Sequence, residues 1–198
     1  ILINSDVTRS DTTITNIEIT KKDLFFYIIV GKIEQLFFKS YRKRQESIIF
    51  NLGHSGKDIT KNKLYQWADI INLHWINGFV DIKQFSKIKK PIVWTLRDMW
   101  PLTGGCHYSL SCDKYKTGCG SCYQLGSNRS YDITKYIINK KRNNYPKNMK
   151  IVGISDWLSQ EARKSILFEG FDIRTISNNV DCETFYPEEK NKARKILG

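Results

Sequence analysis

The chain has 198 residues, of which 40% are hydrophobic and 13% aromatic, with 12 glycines and 4 prolines. That is enough apolar material for one folded domain or slightly more, and it excludes disordered and fibrous classes. The formal net charge is +12, from 32 basic and 20 acidic residues, which suits an anionic partner: nucleic acid, a membrane surface or a phosphate-bearing small molecule. The basic residues are scattered, with small concentrations at 39–44, 87–90 and 140–142, as on an ordinary solvated surface. The longest apolar run covers 24–31, well short of the ~20 residues that cross a bilayer.

Short β-branched runs alternate with amphipathic stretches, the pattern of βαβ units in a parallel sheet. Strands are expected at 1–4, 13–19, 47–51, 69–74, 91–96, 149–154 and 172–177. Near-continuous apolar runs such as Ile70-Ile71-Asn72-Leu73 and Ile92-Val93-Trp94 predict strands covered by helices on both faces. Helices are expected at 22–44, 59–67, 82–88, 133–143 and 155–168, the last with Ser155 as N-cap and Gly170 as its terminating glycine. The long first helix has two readings: packing on the core, or an apolar stripe lying on an anionic membrane beside its basic tail. Residues 97–127 fit neither strand nor helix. A loop of that length is functional, or is ordered by something other than a core. A charged segment at 181–190 reads as a linker, and the chain closes on a helical stretch ending at Gly198. Opening on Ile1-Leu2-Ile3 and ending on that helix, the chain is expected to be cut from something longer at both ends.

Four of the five cysteines fall within this loop, as Cys106, Cys112, Cys119 and Cys122. Four thiolates complete a tetrahedral shell for a structural Zn²⁺, and Cys119-x2-Cys122 has knuckle spacing, although the first pair is more widely spaced than is usual. Two disulfides or four reduced thiols are the other readings, and with no export signal reduced thiols are the default. Cys182 reads as an isolated, partly buried small residue.

A second constellation stands where strands should end. His74 and Trp75 close one expected strand, and Arg97 and Asp98 close the next. Ligands of open parallel sheets bind beyond the carboxyl ends of the strands. A hydroxylated ligand in such a cleft would meet these residues.

Several of these segments resemble glycosyltransferase family 4, in the branch that builds bacterial surface polysaccharides. They are Asn72-Leu73-His74-Trp75-Ile76-Asn77-Gly78; the stretch from Trp94-Thr95-Leu96-Arg97-Asp98-Met99-Trp100-Pro101 through Thr103-Gly104-Gly105-Cys106-His107-Tyr108 and the four cysteines; Gly153-Ile154-Ser155-Asp156; and Ser177-Asn178-Asn179-Val180-Asp181. The likeness covers most of 64–198, and earlier residues share only the general layout. It implies an α/β fold, with a Rossmann-like parallel sheet carrying helices on both faces. This would be the N-terminal, acceptor-side half of a GT-B architecture over about 1–180, truncated at both ends, with 181–198 leading into a second, donor-binding domain.

The resemblance further implies a retaining enzyme that moves a hexosyl group from a nucleotide-diphosphate sugar to a saccharide or lipid-linked acceptor. Such an enzyme is cytoplasmic or peripheral on the inner face of the plasma membrane, and the chain alone would be inactive. No cofactor is required for that chemistry, and a zinc held by the four cysteines would be structural. Arg97 and Asp98 are the candidate catalytic residues, and His74, Trp75, Asn77, Gly78, Trp100, Gly104, Gly105 and Asn178 the candidate substrate-binding ones.

The sequence departs from the family pattern in three places. Arg97 stands where the family has His, and a guanidinium can neither accept a proton nor lose its charge. Asn72 replaces another common His. Asn178-Asn179 replaces Asn-Gly, with Asn as the non-glycine residue best suited to a left-handed turn. A zinc-containing nucleic-acid-binding module and a non-catalytic relative of the family are the alternatives. Nucleic acid is not expected, because no basic stripe interleaves with aromatics.

Overall fold

The computed structural model describes residues 2–3, 15–16, 20–45 and 49–198. Two short parallel strands, β1 (Leu2–Ile3) and β2 (Thr15–Asn16), pair with each other. The rest of the strands expected at 1–4 and 13–19, and part of that at 47–51, lie outside the described residues. The main sheet has four strands, β3 (Ile71–Leu73), β4 (Ile92–Leu96), β5 (Lys150–Gly153) and β6 (Asp172–Thr175). They are all parallel and lie side by side in chain order, the α/β arrangement of a Rossmann-like domain.

Register explains how the sheet is held. Leu73, Trp94, Ile151 and Ile173 are successive partners across the four strands. In a parallel ladder partners share a face, so these four side chains form one row, and all four are buried. An aromatic cluster stacks beneath the row: Trp94 lies 5.2 Å from Phe85 and 5.3 Å from Tyr145, and Tyr145 lies 5.9 Å from Phe168. Such contacts each add about 0.5–1.5 kcal/mol beyond area burial. The opposite face is more polar. There Asn72, Val93, Lys150 and Asp172 are partners, and Lys150 pairs with Asp172 at 3.2 Å. Burial alternates along β4, and Ile70 is exposed. The strands therefore present one deeply buried face, where two had been expected.

The first helix, α1 (Lys21–Lys39), starts earlier and ends sooner than its apolar spacing suggests. Thr20 and Asp23 form a reciprocal capping box that fixes its start. Against the described residues α1 buries none of its side chains, so the core-packing reading of it is not met there. No helix among the described residues is long and apolar enough to cross a membrane. Residues 59–67 split into a 3₁₀ turn and the short α2 (Lys63–Trp67), and 82–87 form a 3₁₀ segment. α3 (Ile133–Asn144) is capped by Asp132, whose carboxylate accepts from the Thr134 amide at 2.9 Å.

Ser155 caps α4 (Asp156–Lys164) as expected, but the helix ends at Ser165, well before Gly170. α5 (Lys190–Leu197) runs to Gly198. Of the strand expected at 47–51, the described residues form an antiparallel bridge between Phe50 and Cys106. Cys182 is exposed, against the expectation of partial burial.

Replacing Trp94 by Ala removes the centre of the buried row, and we expect a loss of about 3–5 kcal/mol, read as a lower urea midpoint. The same change at Trp67, 82% exposed, should stay within about 0.5 kcal/mol of the parent.

Candidate functional site

Because β3 and β4 are neighbouring parallel strands, the residues that follow them emerge side by side at one sheet edge. His74 and Trp75 leave β3 there, and Arg97 and Asp98 leave β4. Residues 97–127 therefore start at the carboxyl ends of the strands, where the sequence places a cleft. Asn178 follows β6 and reaches the same edge, its Oδ1 accepting from the Arg97 guanidinium at 2.6 Å.

Beneath the edge lies a buried polar network. Asp98 accepts from the Trp100 amide at 2.8 Å through one oxygen and from His107 Nδ1 at 2.6 Å through the other. On its far side, His107 Nε2 meets the side-chain amide nitrogens of Asn51 at 2.9 Å and of Asn77 at 3.4 Å. Amide nitrogens only donate, so Nε2 is the acceptor and the ring proton sits on Nδ1, towards Asp98. His107 is completely buried and Asp98 nearly so.

The rim above is accessible. Trp75 is 55% exposed, with its ring 5.2 Å from that of His107. Its φ of 28° is an uncommon conformation for a bulky residue and persists only when the surroundings enforce it. Arg97 donates to His74 Nδ1 from Nε at 3.3 Å and approaches it with a terminal nitrogen at 3.1 Å. A guanidinium cannot accept, so His74 Nδ1 is unprotonated and its Nε2 carries the hydrogen. Burial first, and then the Arg97 charge, push the His74 pKa below 6.5. The rim therefore offers a neutral imidazole, a fixed cation, an amide and an indole face.

The sequence-predicted residues separate into layers. His74, Trp75, Arg97 and Asn178 form the rim. Asp98 and Trp100 lie one layer below it, with the Trp100 indole N–H donating to the Asn51 carbonyl at 2.9 Å. Asn77 bridges the layers; its Oδ1 is buried without a partner among the described residues. Gly104 and Gly105 are buried packing positions: a Cβ on Gly104 would come 2.5 Å from the Thr134 carbonyl, and one on Gly105, at φ 128°, 2.5 Å from the Phe50 ring. Gly78, at φ 72°, simply turns the chain. Asn179, which stands where the family has Gly, does not take the left-handed conformation expected there. Asn51 and His107 were not singled out, because a buried polar pair 56 positions apart leaves no periodic signal in the sequence.

The long loop is ordered by burial more than its composition suggests, through Met99, Trp100, Leu102, Tyr115 and Leu125. Buried Lys141 from α3 also fastens it, donating to the Trp100 carbonyl and to that of Thr103 at 3.0 Å, with its ammonium 3.7 Å from the Trp100 ring centre. Burial lowers the Lys141 pKa to about 7. All four loop cysteines are free thiols. Burial raises Cys106 to about 11, and burial together with the neighbouring Cys106 raises Cys119 to about 12. As the side chains stand, no group of three or more His, Cys, Asp or Glu among the described residues is arranged to hold a metal ion.

Compared with known proteins, the chain is 35% identical over 63 residues to WcaC of Escherichia coli (strain K12), which bears the name of a colanic acid biosynthesis glycosyl transferase; the match takes in 29% of this chain and 16% of that protein. The chain thus spans well under two thirds of this relative's length. No family model matches the chain, and no solved structure does. The similarity supports a relationship to glycosyltransferases through part of the chain.

Imidazole NMR of the chain should place the His74 midpoint below 6.5. Replacing Arg97 by Gln removes the smaller of the two causes, so the midpoint should rise yet remain below 6.5; a midpoint that does not respond would show that the Arg97–His74 contact is not formed in solution.

Proposed function

We propose that this chain provides the acceptor-side half of a retaining glycosyltransferase of cell-surface polysaccharide biosynthesis. The reaction moves a hexosyl group from a nucleotide-diphosphate sugar to a saccharide or lipid-linked acceptor. The observation that carries this reading is the rim at the ends of β3 and β4, where Trp75, His74, Arg97 and Asn178 gather over the Asp98–His107 network. The partial likeness to a protein named as a glycosyl transferase supports it.

Each rim group has a use in that chemistry. The exposed Trp75 face suits the apolar C–H face of a pyranose, and the strain of its backbone suits a platform held in place before ligand arrives. His74, neutral and with its hydrogen on Nε2, donates to a sugar hydroxyl. Arg97 keeps its charge at every accessible pH and suits the donor diphosphate, whose negative charge grows as the glycosidic bond breaks. Its bonds to His74 and Asn178 hold it in one orientation, which favours an adapted role over a simple loss of the family's His. Asp98 has both oxygens engaged and is buried, so it acts by position and not as a nucleophile. Retention through a glycosyl-enzyme intermediate calls for a carboxylate at the sugar. With Asp98 occupied, the reading is front-face attack, with the leaving phosphate taking the acceptor's proton. The net charge of +12 suits a donor diphosphate, a lipid-linked diphosphate and the inner face of an anionic plasma membrane alike.

The test measures transfer of radiolabelled sugar from nucleotide-diphosphate donors in the protein that carries this segment. Arg97→Ala should lower kcat by about 10²-fold, the scale of one lost charge-stabilising group. Trp75→Ala should chiefly raise the acceptor KM, by about tenfold for a stacking contact worth near 1.4 kcal/mol. Parent-like constants in both variants would remove the rim from the reaction.

A further inference from the structure

Four thiols and their immediate surroundings have no part in the chemistry above. Cys106, Cys112, Cys119 and Cys122 line one small cavity, with Phe50 and Thr103 also on its wall. They reach it from successive turns of one loop, which folds back on itself to gather them.

The backbone is shaped to the same end. Gly118, Cys119, Gly120 and Ser121 have φ of 114°, 54°, 97° and 44°. That is a tight left-handed run through two non-glycine residues, each costly unless something holds it. Gly104 is required for close approach, since a Cβ there would stand 3.0 Å from Cys119 Sγ.

We infer that these four cysteines form a structural thiolate site for one divalent cation of the zinc class. The ligand set is all sulfur, which selects zinc over oxygen-loving cations such as magnesium or calcium. The shell is not closed as the side chains stand. A cysteine has a single side-chain torsion, so exchange between staggered rotamers relocates each sulfur with the backbone in place. Binding would replace four S–H bonds by four metal–sulfur bonds and release the protons to solvent.

Chain purified without chelator should contain about one equivalent of zinc by elemental analysis. After removal of the metal, added Co²⁺ should give the intense visible absorption of a tetrahedral site with near-ultraviolet thiolate charge transfer. Cys119→Ser should abolish or blue-shift these bands. Cys182→Ser, altering the exposed fifth cysteine, should leave them unchanged and guards against misreading a folding defect. Metal-free chain with all four thiols freely titrating, the mass signature of disulfides under non-reducing alkylation, or a weak octahedral cobalt spectrum would each overturn the site. None of these readouts depends on sugar transfer, so the two proposals stand or fall separately.

Discussion

The candidate site rests on one buried contact, the 2.6 Å hydrogen bond between the Asp98 carboxylate and His107. A carboxylate with so little exposure is costly unless its oxygens are satisfied. Here the Trp100 amide satisfies one and the imidazole the other. The same bond fixes the imidazole tautomer, which makes Nε2 an acceptor for Asn51 and Asn77. Through Asn77 the network reaches the turn after β3, and through ring contact it supports Trp75 in a backbone conformation that does not persist unaided. Loss of one partner from such a pair leaves an uncompensated buried charge, a penalty of about 3–5 kcal/mol. That exceeds what any exposed rim contact contributes, so the order of the rim is set from below.

Much of this architecture was legible from residues. The four strands of the main sheet carry β-branched and aromatic runs whose centres fall where the strands form, and the caps Ser155 and Gly198 act as their chemistry implies. The placement of His74, Trp75, Arg97 and Asp98 at one edge follows from two parallel strands being neighbours. What sequence hides is depth. Asp98 and Arg97 are adjacent in sequence, yet one is buried in a network and the other lies on the rim, because β4 ends at Leu96 and the chain bends at once through 97–99. Apolar continuity in β3 suggested cover on both faces, but Ile70 lies outside the strand and is exposed. Gly170 looked like a helix terminator, and instead the Ser165 hydroxyl donates to the Leu102 carbonyl at 2.7 Å just past the last turn of α4. That long-range contact has no local signature.

The loop from 97 to 127 shows how composition alone misjudges order. Its glycines and polar residues suggest a segment without a core. Yet Tyr115 donates to Glu161 of α4, Cys122 donates its amide to Asp132 at 2.9 Å, and Lys141 binds two of its carbonyls from α3. These bonds are spread along the loop and come from two helices, so the loop is pinned at several points rather than at its ends. Burial of the lysine with no carboxylate partner among the described residues is tolerated because the carbonyls and the Trp100 ring meet its amino group directly.

The thiol cavity and the rim are joined by a few residues of extended chain. Phe50 bridges Cys106, the Asn51 amide donates to the Gly105 carbonyl at 3.0 Å, and the His107 amide donates to the Ile49 carbonyl at 3.2 Å. Antiparallel partners share a face and successive residues alternate. Phe50 and Cys106 thus turn towards the cysteine cavity, while Asn51 and His107 turn the other way and meet each other at 2.9 Å. One short ladder therefore carries a wall of the cavity on one side and the support of Trp75 on the other. Whatever fixes the position of Cys106 also fixes the height of His107, its immediate neighbour, beneath the rim. A loop that closed around its thiols would for that reason hold the indole platform more rigidly, with no residue of the cavity touching a sugar.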